Sequence, residues 1–225
     1  MSPSPAGFRS AAGPRVLSTA CAAFLLAAGA SSQGYPVWES SGPSSDSQLG
    51  SSISATGDLD GDGLGDLLVG SVGITGGIFG PPGVARLHSG ASGVVLFSFT
   101  NSQPFPGFGI AVSGVADTDG DGVRDLLVGA PLDAVNLPPL TGNVGRATLF
   151  SGATGLPLLT LSGTVAGGSF GASVAGVGDQ NLDGYADVLV GAPGGSFPST
   201  FSGEATIHSG FDGSVLLVLR GVSPG

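Results

Sequence analysis

The chain has 225 residues, with 16 acidic and 6 basic side chains and a formal net charge of -10. This acidity excludes binding of nucleic acid by charge, because phosphates attract basic surfaces. Only 10% of the residues are charged and 41% are hydrophobic, which argues against a disordered acidic tail. Glycine accounts for 43 residues, more than twice the usual share of ~7%.

The first thirty residues have the pattern of a secretory signal peptide. Arg9 and Arg15 precede an apolar run at residues 16–30, which ends in a small-residue cleavage pattern. We therefore expect residues 1–30 to be a signal peptide cleaved after Ala30, and the protein to be secreted or held at the cell surface with no later membrane span. An uncleaved anchor and lipidation of Cys21 are alternatives. Cys21 is the only cysteine, so the mature chain can form no disulfide of its own.

Residues 31–225 contain a repeat of about 60 residues with four landmarks in fixed order. An aromatic residue or Leu precedes a glycine, an aspartate follows nine residues later, a glycine twelve residues after that, and then a Ser-Gly pair. The first copy has Leu49, Asp58, Gly70 and Ser89, the second has Phe108, Asp117, Gly129 and Ser151, and the third has Phe170, Asp179, Gly191 and Ser209.

The segments between the landmarks have the composition of strands. Short apolar runs follow each acidic loop, a pattern typical of strands buried on both faces, and a hairpin with a Gly-rich turn follows each run. No sustained helical period occurs after residue 31. We therefore predict an all-β fold, a β-propeller-type array of four-stranded blades; a β-solenoid or a sandwich is the alternative.

The spacing predicts three full blades and one incomplete blade. Residues 35–41 have the composition and spacing of the outer strand of a blade whose other strands are missing. The full blades are expected at approximately 46–100, 105–163 and 167–221.

A nine-residue acidic loop lies between the first and second strands of each repeat. Oxygen-bearing side chains occupy positions 1, 3, 5 and 9, glycine occupies position 6, and position 7 would offer its backbone carbonyl. Oxygen ligands at this alternating spacing suit Ca²⁺. The predicted ligands are Asp58, Asp60, Asp62, Leu64 and Asp66; Asp117, Asp119, Asp121, Val123 and Asp125; and Asp179, Asn181, Asp183, Tyr185 and Asp187.

These loops hold eleven of the 16 acidic residues, so a dication would relieve strong repulsion between like charges. Magnesium is less suited because it prefers rigid octahedral sites, and no His or Cys near the loops would bind zinc or copper. An EF-hand needs an acid at position 12, where these loops have valine. We predict three structural Ca²⁺ sites, the third being weaker because Asn181 replaces a carboxylate.

The combined motif resembles the FG-GAP repeat of integrin α-subunit propellers and of related bacterial extracellular proteins. The matching residues are Phe108-Gly109 with Gly129-Ala130-Pro131, and Phe170-Gly171 with Gly191-Ala192-Pro193. The first copy departs from the pattern at Leu49 and at Ser71-Val72. The resemblance implies a β-propeller with calcium loops on one face and interaction loops on the other. It implies no particular partner.

Three blades do not close a propeller, which needs about four or more. Two explanations stay open: the chain is a truncated piece of a longer protein, or copies self-associate through open blade edges. Unpaired edges otherwise invite aggregation.

The sequence offers few catalytic candidates. His88 and His208 occupy a position where the second repeat has Phe150, so this is predicted to be a packing position. Acidic residues at non-repeating positions, including Asp133 and Asp212, are expected to be solvated.

We therefore predict a non-enzymatic, secreted, calcium-binding module for adhesion or partner binding. Its ligand would be an unidentified extracellular protein or glycan. The alternatives are an ancillary domain of a secreted hydrolase acting on polysaccharide or phospholipid, and a purely structural cell-surface protein.

Overall fold

The computed structural model describes residues 48–72, 82–100, 107–137, 140–195 and 202–222, all within the compact unit Trp38–Gly225. The predicted signal peptide, its cleavage site and the strand at 35–41 lie outside these residues. The described part contains fourteen strands and no helix. They are β1 (Leu49–Gly57), β2 (Asp66–Ser71), β3 (Val84–His88), β4 (Val95–Thr100), β5 (Ala111–Val115), β6 (Asp125–Ala130), β7 (Ala134–Leu137), β8 (Leu140–Asn143), β9 (Arg146–Phe150), β10 (Pro157–Ser162), β11 (Ser173–Gly178), β12 (Asp187–Ala192), β13 (Glu204–His208) and β14 (Val215–Arg220).

The strands form three antiparallel sheets of four, which we call blades 1, 2 and 3. Their strand orders are β1-β2-β3-β4, β5-β6-β9-β10 and β11-β12-β13-β14. Each blade is a meander of neighbouring strands, which confirms the predicted all-β, propeller-type fold. Strands β7 and β8 form a separate hairpin between β6 and β9. The spacing of the repeat landmarks does not predict this hairpin.

The core lies between the blades. Leu68 and Leu87 of blade 1 pack with Leu126 and Phe150 of blade 2 in one cluster of buried side chains. A second cluster joins blade 2 to blade 3, and it includes Leu127 and Val188. Because successive side chains of a strand point to opposite faces, Leu126 and Leu127 serve the two different interfaces.

Blade 2 is covered on both faces, whereas in the described part of the chain blades 1 and 3 each keep an uncovered face. All six residues of β6 are buried, as expected for a strand with two apolar faces. In β2, however, Leu67 is 49% exposed, and in β14 Leu219 is 55% exposed. The described residues place no blade against these two faces. The prediction of a strand buried on both faces is therefore confirmed for blade 2 alone. How the array of blades closes into a ring stays a prediction.

The landmark glycine near the end of the second strand marks a close approach between blades in the first two repeats. A β-carbon built on Gly70 would lie 2.1 Å from the carbonyl oxygen of Gly109, and one on Gly129 would lie 2.1 Å from the carbonyl oxygen of Gly171. Only a residue without a side chain fits at such a distance. The Phe-Gly landmark of one repeat thus packs against the landmark glycine of the preceding repeat.

No helix in the described residues is long and apolar enough to span a membrane.

Candidate metal centre

Each acidic loop begins where the first strand of a blade ends, and its first aspartate holds the turn together. In the first loop, Asp58 accepts hydrogen bonds from the N–H groups of Gly61 and Gly63, at 2.7 and 2.8 Å. The glycines there have φ angles of 79° and 91°, a conformation that side chains disfavour. The chain therefore wraps around one carboxylate.

The second loop repeats this geometry. Asp117 accepts the N–H groups of Gly120 and Gly122 at 2.6 and 2.8 Å. Further along, Asp121 accepts the N–H of Val123 at 2.7 Å. The loops thus place equivalent carboxylates at equivalent points of blades 1 and 2.

The third loop differs at two positions. The side-chain amide of Asn181 donates to Asp183 at 2.8 Å, so part of the donor set is used within the loop. Leu182 stands where the other loops have Gly61 and Gly120, and it adopts a φ of 62°. A non-glycine residue in this region costs roughly 1–2 kcal/mol. Both features support the prediction that this loop binds a cation more weakly.

The ninth-position aspartates are buried and join each loop to a distant turn. Asp66, Asp125 and Asp187 are 0% exposed. One oxygen of each accepts the N–H of the second loop residue, at 2.8, 2.8 and 2.6 Å. The other oxygen accepts the glycine N–H of the Ser-Gly pair in the same blade, at 2.9, 3.0 and 3.2 Å.

The sequence does not reveal this role of the Ser-Gly pair. The pair recurs at fixed places, but its partner lies 23 to 27 residues earlier, and no local pattern connects the two. In blade 1, the hydroxyl of Ser89 also donates to Asp62 at 3.0 Å. Ser89 therefore belongs to the surroundings of the first loop.

Backbone hydrogen bonds lower the pKa of two loop carboxylates, those of Asp62 and Asp117. The N–H of Leu64 is the main cause of a lowered pKa at Asp62; desolvation opposes this, and the Ser89 hydroxyl adds to it. Burial pushes the pKa of Asp117 up, but the N–H groups led by Gly122 and Gly120 outweigh it, so this pKa is also lowered. Ionised carboxylates are the form that binds a cation.

The buried aspartate of the second loop behaves differently. Burial raises the pKa of Asp125, although Thr118 and Gly152 donate hydrogen bonds to it. A neighbouring cation would therefore stabilise its charged form.

Two loops bring three carboxylates close enough to share one ion. Ligand oxygens of Asp58, Asp60 and Asp62 lie within 4.8 Å of one another, and so do those of Asp117, Asp119 and Asp125. Oxygens that bind Ca²⁺ at 2.3–2.6 Å can be at most about 5 Å apart, so both groups fit this ion. Among the described residues, the third loop contributes no such group of three acidic side chains, and Asp66 and Asp121 lie outside the two groups.

The candidate histidines are packing residues. His88 and His208 are buried, and the Nδ1 of each lies 3.1 Å from a backbone carbonyl, that of Gly93 and of Gly213. Phe150 is buried at the equivalent place, which agrees with the prediction for this position.

One expectation about the acidic residues was wrong. Asp133 was expected to be solvated, but it is 2% exposed. Its backbone N–H donates to Ala130, and its carbonyl accepts the N–H of Gly145. These bonds hold Asp133 at the base of the β7–β8 hairpin, so its burial follows from a hairpin that the sequence did not reveal.

Stacked four-stranded antiparallel sheets, each carrying an acidic loop between its first two strands, define an array of β-propeller blades. The FG-GAP repeat family matches residues 108–150 and 170–215. The chain is an FG-GAP repeat protein and is similar to integrin alpha subunits.

The chain is 45% identical to integrin alpha-IIb of Mus musculus over 94 residues, which are 39% of this chain and 9% of that protein. It is 35% identical to integrin alpha-PS2 of Drosophila melanogaster over 169 residues, covering 72% of this chain and 12% of that protein. The chain thus spans only about a tenth of the length of these relatives. Among solved structures, rhamnogalacturonan lyase YesW is similar with a TM-score of 0.45 and 17% identity, over 75% of this chain and 34% of that one.

Proposed function

We propose that this chain is a secreted, calcium-stabilised propeller module that binds an extracellular partner and catalyses no reaction. The observation that carries the proposal is the repetition of one acidic loop in one register in all three blades. Two of the loops group three carboxylate oxygens within 4.8 Å. The FG-GAP repeats and the similarity to integrin alpha subunits support the same proposal.

The donor set favours Ca²⁺ over softer metals. Asp58, Asp60 and Asp62 would bind an ion in the first loop, and Asp117, Asp119 and Asp125 in the second. Asp179, Asn181 and Asp183 would do so in the third. We propose that further oxygens complete the coordination at each site. They are the carbonyl of Leu64 and the carboxylate of Asp66 in the first loop, the carboxylate of Asp121 and the carbonyl of Val123 in the second, and the carbonyl of Tyr185 and the carboxylate of Asp187 in the third. Bound calcium would neutralise the loops and hold each one against its blade.

We propose adhesion or protein binding as the role of the module. Integrin alpha similarity supports a protein partner, and a glycan is the other candidate. An ancillary domain of a secreted hydrolase stays the alternative role. Export is supported by the signal-peptide pattern of residues 1–30.

Calorimetric titration of chelator-treated protein with Ca²⁺ tests the metal sites. We expect three bound ions per chain, because each of the three loops supplies a similar oxygen donor set. Asp58→Ala and Asp117→Ala should each remove one ion, since each takes away the carboxylate around which its loop wraps.

Asp212→Ala is the matched control, because Asp212 is an exposed acid outside the loops and should leave the number of ions unchanged. Absence of calcium binding by the unsubstituted chain, or equal loss in all three variants, would refute the proposed sites.

A further inference from the structure

The second and third acidic loops are joined by a hydrogen bond between blades. The backbone N–H of Ala186, at the eighth position of the third loop, donates to the backbone carbonyl of Asp117 at 2.9 Å. Asp117 opens the second loop, and its carboxylate belongs to the group of three in that loop. One residue therefore contributes its side chain to one site and its carbonyl to the neighbouring loop.

This hydrogen bond also fixes a proposed ligand of the third site. The N–H of Ala186 and the carbonyl of Tyr185 belong to the same peptide group, which is planar and trans. With the N–H directed at Asp117, the carbonyl of Tyr185 must point the opposite way. Hydrogen bonds in a chain polarise one another, so the bond to Asp117 also strengthens the Tyr185 oxygen as a ligand.

The side chain of Tyr185 makes a second link between the loops. A β-carbon built on Gly120, in the second loop, would lie 3.1 Å from Cε1 of Tyr185. The N–H of Gly120 in turn donates to the carboxylate of Asp117 at 2.6 Å. The Tyr185 ring stacks on Phe211 of blade 3, with 4.7 Å between ring centroids and 24° between planes. Blade 3 therefore holds the Tyr185 ring in place while the ring contacts the acidic loop of blade 2.

The first and second loops are not joined in this way. There the contact is made by the Arg124 side chain, whose Cδ lies 3.0 Å from a β-carbon built on Gly57. Between Arg124 and Asp58, the equivalents of Ala186 and Asp117, the structure shows no backbone hydrogen bond. The direct link is specific to the second and third loops.

We propose that the second and third sites bind calcium cooperatively through the Tyr185–Ala186 peptide, an inference that rests on the proposed calcium sites. An ion in the second site fixes Asp117, which then holds the Tyr185 carbonyl in place for the third site. Coupling of this kind is reciprocal, so an ion in the third site raises the affinity of the second by the same factor.

Terbium luminescence tests this coupling. Tb³⁺ replaces calcium at oxygen sites, and excitation of the Tyr185 ring makes an ion in the second or the third loop emit, because the ring belongs to the third loop and contacts Gly120 of the second. The test variant is Asp119→Ala, which damages the second site without touching Asp117. The matched control is Asp60→Ala in the first loop, because Asp60 and Asp119 each accept one N–H from the residue two positions later, at 3.1 Å.

We expect Asp119→Ala to raise the Tb³⁺ concentration at half-saturation of the third site by about fivefold or more, and Asp60→Ala to leave it within about twofold. Asp183→Ala should remove the part of the signal that comes from the third loop and so assign that part to the third site. Asp119→Asn and Asp60→Asn are milder versions of the same two substitutions, for use if an alanine variant fails to fold. Asp119→Asn should again raise the half-saturation concentration more than Asp60→Asn does, but by a smaller factor.

The outcomes separate the coupling from the sites themselves. A half-saturation point that Asp119→Ala leaves unchanged, or that both alanine variants shift equally, would overturn the coupling while the third site stands. If Asp183→Ala removes no part of the signal, the third site is refuted, and the coupling with it.

Discussion

Removal of calcium should lower the melting temperature of this protein by on the order of 20 °C. At a free Ca²⁺ concentration of 100 times Kd, each site adds about 2.7 kcal/mol to the stability of the folded state. In a chain of this size about 1 kcal/mol corresponds to ~2–4 °C, so three sites account for the expected shift. Without the ions, the grouped carboxylates of each loop also repel one another.

Differential scanning calorimetry with calcium and with EGTA measures this effect. Addition of excess calcium to the EGTA sample should restore the original melting temperature, whereas addition of magnesium should restore little of it, because Mg²⁺ demands a smaller octahedral site. A melting temperature that EGTA does not change would show that the acidic loops hold their blades without metal.

Gly129→Ala should destabilise the protein far more than Gly191→Ala. A β-carbon on Gly129 would lie 2.1 Å from the carbonyl oxygen of Gly171 in the next blade, and backbone at an interface cannot move freely. We expect a loss of about 3 kcal/mol, the upper range for an overpacked core. The blades would have to separate to make room for the methyl group.

Gly191 is the equivalent residue of blade 3 and serves as the control. Its β-carbon would meet the Ser173 hydroxyl at 2.2 Å, and Ser173 is exposed, so this hydroxyl can rotate away. We expect Gly191→Ala to cost less than about 1 kcal/mol, helped by the lower conformational entropy of alanine in the unfolded chain. Urea unfolding of both variants gives the comparison. Equal losses would contradict the role of Gly129 in the contact between blades.

The repeat made the blades predictable from the sequence. Identical spacings from Phe108 to Asp117 and Gly129, and from Phe170 to Asp179 and Gly191, placed the strands, and they also placed every acidic loop between two strands. Apolar runs at fixed places in the repeat predict strands because they mark the residues that are buried. Comparison of the repeats also predicted that His88 and His208 are packing residues, because the second repeat has the apolar Phe150 at the same position.

Contacts between residues far apart in the chain could not be predicted from the sequence. The hydrogen bond from Gly152 to Asp125, and that from Ala186 to Asp117, join segments whose separation in the chain has no local signature. The burial of Asp133 depends on a hairpin whose two strands are only four residues long, too short for a distinct apolar pattern.

The central claim is that each acidic loop holds one calcium ion, and anomalous diffraction from crystals grown with calcium tests it most directly. We predict one anomalous peak in each loop, with oxygen ligands at about 2.3–2.6 Å. Asp58, Asp60 and Asp62 would surround the first ion, Asp117, Asp119 and Asp125 the second, and Asp179 and Asp183 the third, which should be the weakest. Loops without any anomalous peak at saturating calcium would contradict the account.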